Sequence, residues 1–166
     1  YTEGFRWAKD CGFDGVELVL SDPNLIDVSK IGNALASLGL SVSTIATGQA
    51  GALEGLFMTS PVEYIRKAAL QRIFDDIDFS FELGRPNVTI GLIRGNGGLS
   101  PRVRDTELLG TELLKAAEYA AKKNIVLNLE PINRYECKLL NSAADTYDFL
   151  SVIGNPENVG ILFDTF

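Results

Sequence analysis

Histidine is absent from all 166 residues. With it go the usual transition-metal ligand and the usual neutral-pH acid/base, which excludes histidine-rich zinc sites from this stretch. Cysteine is nearly absent too. Cys11 and Cys137 are far apart and form no CxxC, so neither a disulfide frame nor a zinc knuckle is expected. Both read as reduced, buried, small apolar residues of a cytoplasmic protein. Basic charge is scarce: 15 Lys and Arg stand against 22 Asp and Glu, for a net charge of −7. A surface so acidic argues against nucleic acid or anionic lipid as a partner and leaves small neutral substrates open. No run approaches the ~18 apolar residues of a membrane span, and the opening residues, YTEGFRWAKD, carry no signal-peptide pattern.

What is present is apolar and periodic. Hydrophobic residues make up 46% of the chain, enough for a sizeable core. The runs VELVL (16–20), LSVSTIAT (40–47), VTIGLI (88–93), IVLNLE (125–130) and VGILFD (159–164) have strand length and composition. Helical stripes alternate with them. Val28, Ile31, Leu35 and Leu38 mark one helix, which Gly39 closes; Ile65, Ala69, Ile73 and Ile77 mark a second, ended by Gly84. The stretch SPVE at 60–63 predicts a capping box for the second helix, with Pro61 at its first position. Leu109, Leu113, Ala117 and Ala120 mark a third, and a fourth opens at Asn141 or Ser142 and stops before Gly154.

Strand and helix alternate without a hairpin signal, so the strands are parallel and joined by crossover helices. A doubly wound sheet should carry a glycine-rich phosphate loop after its first strand, but SDPNLID stands there. RGNGG at 94–98 lacks the P-loop Lys-Ser/Thr and reads as a flexible turn. A (β/α)8 TIM barrel is the fold class expected. Strand starts recur every 36 residues or so, and eight such units need roughly 290, within the barrel range. The chain begins inside a helix, FRWAKDCGF, so residues 1–166 are expected to be a single, incomplete barrel domain holding strands two to six.

In such barrels the active site lies at the carboxyl ends of the strands. Glu130 ends one strand there and Asp164 ends the next. Two neighbouring carboxylates repel and raise each other's pKa unless a cation lies between them. Oxygen donors of this kind suit Mn²⁺, Mg²⁺ or Co²⁺. Simpler roles compete: Glu130 as a rim residue paired with Arg134, Asp164 as a helix N-cap, Glu136 as a solvated loop ion pair with Arg134 as its natural partner. Glu17 reads as a structural, inward-pointing residue, Trp7 as packing on the outer helix layer, and Leu92 as either pocket wall or core.

The stretches NLEPINRYE, LLNSAAD and NVGILFDTF, with GFDGVEL at 12–18, resemble the xylose-isomerase-like sugar isomerases and epimerases, above all the ketose 3-epimerases of the D-tagatose and D-psicose type. That resemblance implies that Glu130 is both metal ligand and catalytic acid/base, that Asp164 is a second ligand, and that Glu136 binds a substrate hydroxyl. It places the remaining ligands, a histidine and a second catalytic glutamate, on strands seven and eight. The implied enzyme is a metal-dependent isomerase, with Mn²⁺ the first choice of cofactor, a sugar as partner, and a homo-oligomeric state. Epimerisation beside a carbonyl needs the enediolate stabilised as it forms and a carboxylate on each face of the carbon. Hydroxypyruvate isomerase, inosose dehydratase and an inactive sugar-binding barrel are the alternatives; endonuclease-type relatives are disfavoured, because they use histidine-bound zinc and a basic face.

Overall fold

The apolar runs form the strands β1 (Gly15–Val19), β2 (Ser41–Ala46), β3 (Asn87–Ile90), β4 (Leu127–Leu129) and β5 (Val159–Ile161). In the computed structural model, which describes residues 1–165, all pair in parallel and in chain order. This is the arc of a TIM barrel that the alternating pattern requires. Phe166, the last residue of LFDTF, lies outside the described residues.

Six helices connect and flank the strands: α1 (Thr2–Asp10), α2 (Val28–Leu38), α3 (Gly48–Glu54), α4 (Glu63–Glu82), α5 (Arg102–Ala121) and α6 (Ala143–Val152). The expected caps hold at two of them. Gly39 closes α2 with a φ of 62°, a conformation open to glycine at little cost. Ser142 opens α6, its hydroxyl accepting from the Asp145 amide at 3.1 Å. The capping box at 60–63 does not form. The Ser60 hydroxyl accepts instead from the Val62 amide at 3.2 Å, so Pro61 lies in a turn before α4 rather than inside it.

β2 to β5 are shorter than their apolar runs, and β1 is as long as its run but begins one residue earlier. Residues 92–94 leave β3 for a 3-10 turn, and Glu130 stands one residue beyond β4. The short α3 has no stripe long enough to betray it in sequence. Trp7 is 66% exposed rather than packed, and Cys11 is exposed while Cys137 is buried, so only Cys137 fits the small-apolar reading.

The two faces of the sheet differ in chemistry. Leu18, Ile45, Val88, Ile90, Leu127 and Leu129 face the helices and are 2% exposed or less. Truncating any of them to alanine removes roughly 2–5 kcal/mol of packing. Alternation turns Glu17, Thr44, Thr89 and Asn128 to the other face. A bulge between the first two strands sets that parity: Val16 pairs with Val42, but Glu17 pairs with Thr44, leaving Ser43 as the extra residue. Val42 and Ile45 can then both pack on the core, while Thr44 shares a 2.8 Å hydroxyl hydrogen bond with Thr89 on the concave side.

Candidate active site

The concave face opens at the carboxyl ends of the strands into a cavity of about 520 Å³. Four carboxylates line it: Glu17 from β1, Glu130 after β4, Glu136 from the following loop and Asp164 after β5. The structure therefore brings together the three acids singled out in sequence and adds a fourth. Glu17 was legible only as an inward residue, because nothing in GVELV says how far the wall curves toward Asp164.

Glu130 is held from the backbone outward. Its amide donates to Ile90 O at 3.2 Å, which continues the β3–β4 ladder one residue past the strand. Its side chain is partly buried, and burial raises its pKa above the ordinary glutamate value; the charge of Asp164 raises it further, followed by that of Glu17. Glu17 is raised for the same reasons, burial first and then Asp164. Glu130 and Glu17 thus both feel the charge of Asp164 across the cavity.

One cation acts against this. Arg94 is fully buried, and its charge lowers the pKa of Glu130, though less than burial and the two acids raise it. Its hydrogen bonds go elsewhere: Nη1 donates to Leu139 O at 2.6 Å and Nη2 to Leu140 O at 3.2 Å. Burial pushes the guanidinium below its usual value. The charge is thus spent on clamping the β3 turn to the loop after β4, not on forming an ion pair with Glu130.

That loop, residues 131–141, is tied down along its length. Asn141 donates from Nδ2 to Ile132 O and to Cys137 O, both at 2.7 Å, and the Ile132 amide donates back to Leu140 O at 3.2 Å. Glu136 accepts from Asn133 Nδ2 at 2.6 Å. The expected ion pair with Arg134 is not formed, because the Asn133 side chain reaches Glu136 first and bonds the Tyr135 amide at 2.9 Å as well. Leu92 resolves both ways, lining the cavity while packing against the core.

The donor chemistry of Glu130 and Asp164 suits a hard divalent cation, which takes about six oxygens and draws on carboxylates first. Among the described residues no group of three or more His, Cys, Asp or Glu side chains could hold a metal ion. The pair fits as a partial ligand set, two carboxylates just past the ends of adjacent strands, whose remaining places other oxygen donors would fill.

Comparison with known proteins agrees with this geometry. The family model described as "Xylose isomerase-like TIM barrel" matches residues 5–166. An L-ribulose 3-epimerase of Mesorhizobium japonicum is 31% identical over 160 residues, 95% of this chain and 52% of its own length. A 3-dehydro-D-guloside 4-epimerase of Escherichia coli K12 is 28% identical over 99% of this chain and 63% of its own. A solved L-ribulose 3-epimerase structure superposes with a TM-score of 0.80 at 28% identity, covering 95% of this chain and 52% of that one. The chain spans about half the length of the relatives it matches.

Proposed function

Since the chain belongs to the xylose isomerase-like TIM barrel family, we propose that residues 1–166 form part of a single barrel that epimerises a ketose, using a divalent metal and proton transfer through a cis-enediolate. The observation that carries this reading is the carboxylate of Glu130, partly buried at a strand end beside Asp164 on the wall of an open cavity. The names of the relatives share one chemical feature. A 3-epimerase of a 2-ketose and a 4-epimerase of a 3-keto sugar both invert the carbon next to a ketone. We take the substrate class to be a sugar with that arrangement.

In this mechanism Glu130 removes the proton from the carbon beside the carbonyl. The C–H is weakly acidic, so this transfer needs the enediolate stabilised as it forms and the carboxylate held against the carbon. Glu136, fixed by Asn133, accepts a hydrogen bond from a substrate hydroxyl and orients the sugar along the cavity. Glu130 and Asp164 would hold the metal, with Mn²⁺ the first choice and Mg²⁺ or Co²⁺ the others. When bound, such an ion neutralises the negative charge that develops on the sugar oxygens. Inversion also needs a second acid on the opposite face of the carbon.

The test is solvent exchange in the complete protein. With D-allulose or L-ribulose in deuterated water, the wild type should place deuterium on the carbon beside the carbonyl, and Glu130→Gln should slow this by about 10³-fold or more while keeping the unfolding midpoint. Wild-type exchange in Glu130→Gln would remove Glu130 from the role of base.

A further inference from the structure

The 3-10 turn after β3 presses on Glu130 through a residue with no side chain. Gly91 is the last residue before the turn Leu92–Arg94, and a Cβ built on it would lie 2.7 Å from Oε2 of Glu130. Real Cβ atoms essentially never approach another atom so closely. Something has to move if a methyl group is added there, and the surroundings determine what.

The backbone of the turn cannot move away. On one side α3 packs its glycines directly against it: a Cβ on Gly51 would meet the Leu92 carbonyl carbon and oxygen at 2.9 Å. The Met58 amide donates to Ile93 O at 2.9 Å, fixing the middle of the turn to the segment after α3. On the other side the buried Arg94 side chain anchors the end of the turn to Leu139 O and Leu140 O. The preceding strand is held by β2 and β4, and the Glu130 amide itself bonds Ile90 O. Glu130, by contrast, extends a flexible side chain into open cavity. Its carboxylate is the part that yields.

We propose that Gly91 is a positioning residue for the Glu130 carboxylate: its missing side chain is the space in which Oε2 rests, and this sets the distance of the base from the wall of β3. The inference rests on Glu130 being the base but concerns a different residue. A methyl group at position 91 would push the carboxylate out by on the order of half an ångström to restore ordinary contact. Displacements of about 1 Å at a reacting group cost ~100-fold in rate, so Gly91→Ala should lose roughly 10-fold to 100-fold in kcat with KM little changed.

The experiment compares Gly91→Ala, Glu130→Asp and the double variant with wild type, all in the complete protein. Three readouts are taken: unfolding midpoint, deuterium incorporation into D-allulose, and the rise in unfolding midpoint on adding Mn²⁺. Gly91→Ala should keep its midpoint without metal and lose kcat. In the Glu130→Asp background, where the shorter carboxylate no longer reaches the added methyl, Gly91→Ala should have little further effect on exchange or on the Mn²⁺ shift. A crystal structure of Gly91→Ala should show Oε2 displaced and the turn unmoved. Wild-type kcat in Gly91→Ala, equal losses in both backgrounds, or a collapse of the midpoint would each overturn the proposal, the last because the backbone and not the carboxylate had yielded. The crystal structure reads the displacement whatever Glu130 does chemically, so failure of the base assignment, seen in Glu130→Gln, is distinguishable from failure of this one.

Discussion

The rim of the cavity and the helical layer behind it are both rich in acids, yet they treat charge in opposite ways. On the helical side several carboxylates have a cation, among them Glu54, Glu63, Asp78, Glu107, Glu112 and Glu118. Arg72 bonds Glu54 at 2.7 Å, lies 3.4 Å from Asp22 and donates to Ser21 O, joining the loop after β1 to α3 and α4. Asp78 pairs with Lys123 at 3.1 Å and accepts from Tyr119 at 2.8 Å. At the rim, burial and the charge of Asp164 both raise the pKa of Glu17 and of Glu130, and the buried Arg94 is committed to backbone carbonyls. Charge that is matched locally stabilises a fold; charge left to accumulate around a cavity stabilises whatever binds there. The proposed divalent cation would bind on the rim side of that contrast.

Breaking the rim should have the largest effect. In the complete protein Mn²⁺ should raise the unfolding midpoint, by the equivalent of ~2.7 kcal/mol at a hundred times its dissociation constant. Asp164→Asn should weaken Mn²⁺ binding by at least about 100-fold, more than the loss of a group that merely supports a ligand. Calorimetric titration of both proteins decides it, and equal affinities would place the metal elsewhere. Breaking the helical hub comes next: Arg72→Ala leaves Asp22 and Glu54 facing Asp76 without their cation and should cost about 2 kcal/mol in urea unfolding. Mn²⁺ should not restore that loss.

Asp76 on α4 sharpens the comparison, because it is a buried acid on the helical side with an unsatisfied oxygen. It is 1% exposed, and its Oδ1 has no hydrogen-bond partner. Burial holds its pKa well above the usual aspartate value, opposed by Arg72 and reinforced by Asp75. A carboxyl with a raised folded-state pKa binds its proton more tightly in the native state. The stability penalty is therefore full above the folded pKa, shrinks as pH falls through it, and vanishes below the unfolded value near 4. Asp76→Asn should accordingly stabilise the protein by about 1 kcal/mol at pH 8 and by nothing at pH 3.5, as read by urea midpoints at the two values. The smallest effect belongs to the pair Lys122 and Glu118, 2.8 Å apart but 67% and 73% exposed. Glu118→Gln should leave the midpoint unchanged.

Long patterns were legible in the sequence and short ones were not. The stripe from Ile65 to Ile77 and the run from Ile125 to Glu130 each repeat a period often enough to fix an element and its buried face. Glu130 and Asp164 followed, since a carboxylate closing an apolar strand is conspicuous against its neighbours. The helix Gly48–Glu54 spans barely two turns and is built on glycine and alanine, so it shows no apolar stripe. The bulge at Ser43 was invisible for a different reason: one extra residue inverts which side chains face in, and no residue type announces it. The role of Gly91 depends on an absence, the space a Cβ would fill, and appears only when β3 and β4 lie side by side.

Asn141 carries a consequence for how such a protein can change. By bonding Ile132 O and Cys137 O from one amide, it ties the two ends of the segment carrying Asn133, Tyr135 and Glu136 to a single point. The segment behaves as a cartridge with its own fastening. Residues 133–136 can be exchanged for others of equal length without renegotiating the barrel wall beneath them. Mutational drift can therefore reshape the cavity rim at this loop while Glu130, the residue before Pro131, keeps its place, and a designer grafting a foreign tetrapeptide into the same frame inherits that insulation.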